Sequence, residues 1–193
     1  MKRRTIRIIS FLIFLGILTL WIVLFKYVNP QVLIGKIGVT NGYIILFLIG
    51  AIGGASIFTG PSYFIALATL SIVGLNPILL GIFGGLGVTI GDSITFFIGL
   101  SVAKKAPEKI KEKISKIEKI LEKRSKKMVN FMIYTYIGFL PLPNEFVTIP
   151  LGLIGYKKRI IILFLLLGNI TSGILGALLA LYGIQFVSPS PSI

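Results

Sequence analysis

The sequence predicts an all-α polytopic membrane protein: an N-terminal anchor helix, then an inverted repeat in which each half is a re-entrant helical hairpin followed by a transmembrane helix. Three observations predict it. The chain of 193 residues is 55% hydrophobic and only 13% charged, against roughly 45–50% apolar and about 25% charged in an ordinary soluble domain. Apolar runs long enough to cross a bilayer recur along it. Between the runs, Lys and Arg gather in dense clusters that fix the side on which each connection lies.

The same composition excludes much chemistry. There is no cysteine, so disulfides and thiolate metal sites are out. There is no histidine, which removes the commonest metal ligand and the usual general base near neutral pH. No paired-acid motif replaces them, so no enzyme and no cofactor is expected. A net charge of +14 raises nucleic acid as a partner. No aromatic-interleaved basic surface accompanies the charge, so none is expected, and the excess marks cytoplasmic segments instead.

Residues 1–28 form the basic flank and anchor. Lys2, Arg3, Arg4 and Arg7 precede the apolar stretch "IISFLIFLGILTLWIVLF" at 8–25. That stretch is longer than a signal-peptide core and lacks a small-residue cleavage site, so an uncleaved anchor with a cytoplasmic N-terminus is expected. Asn29-Pro30 ends it. The first repeat, 42–102, comprises a hairpin over 42–75, broken at Gly60-Pro61-Ser62, and a span over 78–102 after the turn Gly74-Leu75-Asn76-Pro77. Gly87-x-x-x-Gly91 within that span lets helices approach closely.

Residues 103–127 carry eleven basic residues against four acidic ones. Ile110, Ile114, Ile117 and Leu121 fall on one face, predicting a cytoplasmic amphipathic helix lying on anionic headgroups. The second repeat, 128–183, comprises a hairpin over 128–155, broken at Pro141-Leu142-Pro143, and a span over 160–183. A short polar tail, 184–193, closes the chain.

Length and charge force the hairpins. Spanning about 30 Å at about 1.5 Å per residue takes roughly 20 residues, and the apolar pieces 128–140 and 144–155 are each too short. The helix at 103–127 and the cluster Lys157-Lys158-Arg159 are both basic and both expected inside, so the segment between them enters and leaves on one side. The first hairpin enters from the other side by the same bookkeeping. At an offset of 81, Gly74 meets Gly155 and Gly87 meets Gly168. Transporters commonly place their site at such a repeat interface, between broken helices.

Two stretches carry a resemblance: "GGLGVTIGDSITFFIGL" at 84–100 and "FLPLPNEFVTIPLGLIGYKKRIIILFLLLGN" at 139–169. With the topology, they resemble the DedA/VTT (SNARE-associated) family, over about 42–183. The family often has an Arg where this chain has Leu100, a Glu in the first hairpin where it has Pro61-Ser62-Tyr63, and an Arg in the second hairpin, where the nearby charge is Glu145. The resemblance implies transport or scrambling of lipids, including polyprenyl phosphates, with proton coupling as an option.

Asp92 and Glu145 are the acids in apolar surroundings. A carboxylate within a span costs about 2.5–3.5 kcal/mol by insertion scales, which makes each a candidate to carry a coupling proton. Against this, Asp92 has the alternative of bonding a neighbouring helix, and Glu145 of capping the helix after Pro143. Ser62, Tyr63, Asn144 and Thr148 lie at the two breaks and Asn169 in the last span, with Thr171 and Ser172 beside it. The residues at the breaks are candidates to line a substrate path or simply to satisfy freed backbone groups; those in the last span are candidates to line it or to bond between helices. Lys157, Lys158 and Arg159 are candidate headgroup contacts or interface markers. The expected function is movement of a lipid or lipid phosphate between leaflets of the plasma membrane. The alternatives are a small-solute or drug exporter, and a non-transporting assembly protein that docks through 103–127. Membrane lipids and protons are the expected partners, and a homo-oligomer is compatible.

Overall fold

A computed structural model of the chain describes residues 38–56, 59–104, 106–140 and 142–187. The expected anchor over 1–28 lies outside them. Every regular element among the described residues is a helix: α1 (Val39–Gly53), α2 (Gly60–Ile72), α3 (Pro77–Lys104), α4 (Glu108–Glu122), α5 (Lys126–Phe139), α6 (Glu145–Ile154) and α7 (Lys158–Val187).

Among the described residues, two helices are long and apolar enough to cross a membrane, Pro77–Lys104 and Lys158–Gly183. With 15, 13, 14 and 10 residues, α1, α2, α5 and α6 are each about 15–22 Å long, short of the hydrocarbon thickness. Large apolar side chains stand exposed on all of these elements, among them Ile44, Leu48 and Ile52 on α1, Ile90, Ile94 and Ile98 on α3, and Leu163, Leu167 and Leu179 on α7. Soluble monomers rarely expose so much contiguous apolar surface, whereas a helix facing lipid gains by it.

The long helices α3 and α7 form the centre, and they cross antiparallel. Gly81 meets Gly173 and Ile174, Gly85 meets Asn169 and Ile170, and Lys158 Nζ sits 5.8 Å from the Phe97 ring centroid. Small residues make this approach possible, because nothing but hydrogen separates the backbones. The Gly87/Gly91 pair does the same against α1: a methyl on Gly91 would lie 2.5 Å from Ala55 N and 2.6 Å from Ala51 O. Contacts of Gly87 with Phe47 and of Gly91 with Ala51 and Ala55 run in the same order, so α1 is parallel to α3.

The other short helices follow suit. Along α6, Asn144, Thr148 and Gly152 meet Asp92, Thr95 and Phe96 in turn, which makes α6 parallel to α3. Along α2, Tyr63, Leu67 and Ser71 meet Gly173, Gly176 and Ala177, which makes α2 parallel to α7. A core of Phe96, Val129, Ile133, Ile137, Leu151, Ile161 and Leu165 joins α3, α5, α6 and α7. Gly74 (φ 100°) and Gly155 (φ 73°) supply the left-handed turns just before α3 and α7, a conformation that glycine adopts without a Cβ penalty.

Several sequence boundaries move. The first break lies between the end of α1 at Gly53 and the start of α2 at Gly60, and Gly60 and Pro61 open α2 rather than interrupt it. Proline's fixed φ suits a first helical turn, where its missing N–H would be unpaired anyway. The basic stretch is not one helix over 103–127. It is interrupted at Pro107, and Ser125 caps the next helix by accepting from the Met128 N–H, so Lys126 and Lys127 belong to α5. The expected tail also shortens, since α7 continues through Val187.

Candidate functional site

The two helix breaks are far apart in sequence and meet in space. A cavity of about 460 Å³ lies between them, lined from the first break by Gly53, Gly54, Ser56, Gly60 and Pro61, and from the second by Leu140, Leu142, Pro143, Asn144 and Glu145. Asp92 of α3 and Asn169 and Ser172 of α7 stand between, with Tyr63 and Phe64 of α2 closing one side. The crossing of α3 and α7 positions this site: Gly85, which lets the helices touch, lies two helical turns before Asp92 and packs on Asn169 and Ile170.

Asp92 is 1% exposed and organises the polar groups. Its Oδ2 accepts hydrogen bonds from Asn169 Nδ2 at 2.7 Å and Asn144 Nδ2 at 2.8 Å. Asn144 Nδ2 also donates to Asn169 Oδ1 at 3.0 Å, and Asn169 Nδ2 to Thr89 Oγ1 at 3.3 Å. A carboxylate buried in an apolar core is held by such charge-assisted bonds. The network ties the second break to both long helices at one point.

Glu145 opens α6 and faces the same cavity half-buried. Among the described residues it makes no side-chain hydrogen bond and no ion pair, though the amino end of α6 favours its negative charge. Asn144 has the N-cap position, yet its side chain makes no capping bond and reaches across to Asp92 and Asn169 instead. The amide serves the site rather than the helix end.

Of the residues singled out from the sequence, Asp92, Glu145, Asn144, Asn169 and Tyr63 come together at the cavity, and Ser172 with them. Thr148 does not line it. Fully buried, it bonds Thr95 Oγ1 at 2.7 Å where α6 packs on α3. Thr171 bonds Tyr134 at 3.1 Å and joins α7 to α5. Ser62 lies beside the wall rather than in it, because the turn of α2 that brings Tyr63 inward carries it away. Lys157, Lys158 and Arg159 are exposed at the α6–α7 turn, remote from the cavity wall. Sequence reasoning missed Thr89, which supports Asn169; its place three residues before Asp92, on the same helical face, was the signal available. No group of three or more metal-ligating side chains occurs among the described residues.

In comparisons with known proteins the chain matches no family model, no curated protein and no solved structure. The DedA/VTT resemblance therefore rests on the motifs at 84–100 and 139–169.

Proposed function

We propose that the chain is an integral membrane transporter of the DedA/VTT type that moves an amphiphile, a lipid in the first instance, between leaflets through the cavity at Asp92. The observation that carries this reading is the meeting of two helix breaks around one apolar-walled cavity that holds two carboxylates. Backbone interrupted at membrane depth is tolerated where it lines such a cavity, and transporter sites recur at the interface of paired broken helices.

The helix directions support an inverted repeat. With α1 parallel to α3, α2 parallel to α7, and α3 antiparallel to α7, α1–α2 is a hairpin that starts from the α3 amino end. By the same pairings α5–α6 is a hairpin that starts from the α7 amino end, which is the opposite face. Each short helix after a break packs on the long helix of the other half. Lys158 beside Phe97 puts the basic α6–α7 turn at the end where α3 runs into Lys104, and the positive-inside rule assigns that end to the cytoplasm. The plasma membrane is the proposed location.

One observation favours the second reading, export of a small amphiphilic solute: none of the described residues lining the cavity is Lys or Arg, so a phosphate head finds no cation among them. The test is reconstitution into liposomes carrying fluorescent lipids with neutral, zwitterionic and phosphate heads, followed by quenching of the outer leaflet. Faster head-group exchange than in protein-free liposomes, reduced in Asp92→Asn and Glu145→Gln, is the expected result. Equal rates with and without protein, for every head group, refute lipid movement.

A further inference from the structure

The polar groups at the cavity are unevenly spent. Both amide N–H donors of Asn144 and both of Asn169 are committed, to Asp92, Asn169 and Thr89. The acceptors are not. Glu145 has no partner for its carboxylate, and Asp92 Oδ1 and Asn144 Oδ1 accept no hydrogen bond among the described residues.

Tyr63 adds an independent observation. It is 5% exposed and its ring belongs to the cavity wall, while its hydroxyl, without a hydrogen-bond partner among the described residues, is buried beside Gly84 and Gly173, which do not line the cavity. Its ring meets Phe64 edge-on, with centroids 5.2 Å apart, so two aromatic rings stand in the wall with the carboxylates. The remainder of the wall is mostly aliphatic, glycine or proline, with Ser56 and Ser172 adding hydroxyls.

A site whose amide donors are committed, whose carboxyl and amide oxygens are spare, and whose described lining residues include no cation calls for a ligand that brings N–H donors and positive charge. Aromatic faces favour the same charge, and the apolar wall suits a hydrocarbon body. We infer that the cavity binds the primary ammonium head of an amphiphile, with Glu145 and Asp92 Oδ1 as acceptors for its N–H groups. As a statement about transport this rests on the function proposed above; as a statement about binding it does not.

The test measures binding to the full chain in maltoside micelles by calorimetry. Three probes share one chain, n-dodecylammonium, n-dodecyltrimethylammonium and n-dodecyl phosphate, and each is kept below its own micelle concentration. The primary ammonium is expected to bind at least about tenfold more tightly than the phosphate, and more tightly than the trimethyl analogue, which has no N–H. Glu145→Gln is expected to weaken the primary ammonium about tenfold. Glu112→Gln removes the same charge from the exposed face of α4 and is expected to change nothing. Phosphate binding as tight as ammonium binding in the unaltered chain overturns the inference without recourse to any variant, as does unchanged ammonium binding in Glu145→Gln. Ammonium binding without lipid movement in liposomes refutes transport and leaves the site standing. Lipid movement without ammonium binding refutes the site alone.

Discussion

Replacing Gly85 by alanine is expected to loosen the molecule at its centre, although Gly85 does not line the cavity at Asp92. An added Cβ would lie 2.7 Å from both N and Cα of Ile170 and 2.8 Å from the Asn169 carbonyl carbon. These are backbone atoms that cannot rotate aside. Ordinary contact begins near 3.4 Å, so α3 and α7 must part by roughly 0.7 Å, the difference between 3.4 and 2.7 Å, before dispersion contacts become favourable. Overpacking of this kind costs about 1–3 kcal/mol, offset by up to about 1 kcal/mol of helix propensity gained on leaving glycine. The expected net loss is about 1–2 kcal/mol. The same parting would stretch the 2.7 Å bond from Asn169 to Asp92 to about 3.4 Å, near the limit of a useful hydrogen bond. Lipid movement should therefore fall along with stability. Gly183→Ala is the internal control, since nothing lies within 4 Å of its added Cβ and only the propensity gain remains. The assay is unfolding of the maltoside-solubilised chain by added dodecyl sulfate, followed by far-UV ellipticity. If Gly85→Ala unfolds at the same or higher denaturant than the unaltered chain, the argument for a backbone-tight crossing is refuted.

Thr148→Val removes the 2.7 Å bond to Thr95 at nearly constant volume and should cost about 0.6–1.7 kcal/mol, the range for side-chain bonds between membrane helices, read in the same unfolding assay. Ser71→Ala removes the bond from Ser71 Oγ to the Ala177 carbonyl at 2.6 Å; a loss of similar size is expected, and an unchanged midpoint would mean that α2 is held to α7 by packing alone. The cysteine-free sequence allows a clean topology test by labelling single cysteines in right-side-out vesicles with an impermeant maleimide. Lys116→Cys and Lys158→Cys should be protected and Ile78→Cys labelled; labelling of Lys158→Cys from outside would invert the proposed orientation.

Much of the helix pattern was readable because it depends on near neighbours. The apolar pieces 128–140 and 144–155, parted by Pro141-Leu142-Pro143, are each too short to be a single span, whatever surrounds them. The misplaced boundaries have local causes of a subtler kind. Pro61 stops a helix only when it sits inside one, and here it begins one. The basic segment looks continuous in charge, but Ser125 spends its hydroxyl on the Met128 N–H and starts a new helix.

The site was legible in its members more than in its wiring. Asp92 and Glu145 stood out because a charge in apolar surroundings is costly wherever it lies. That Asn144 would leave its cap position for Asp92, or that Thr148 would face Thr95, depends on which face of α6 meets α3. No periodicity within ten residues of α6 decides that.

By itself the sequence determined that this chain is helical and apolar, with short helices broken at two places and basic connections between apolar runs, because hydropathy, proline and glycine act over a few residues. Only the tertiary structure decided that the two breaks converge on one cavity and that its amide donors are committed while its carboxyl oxygens are not all so. Those facts depend on contacts between residues some fifty to eighty positions apart, such as Asp92 with Asn144 and with Asn169. Their geometry is set by how closely glycine lets α3 and α7 approach.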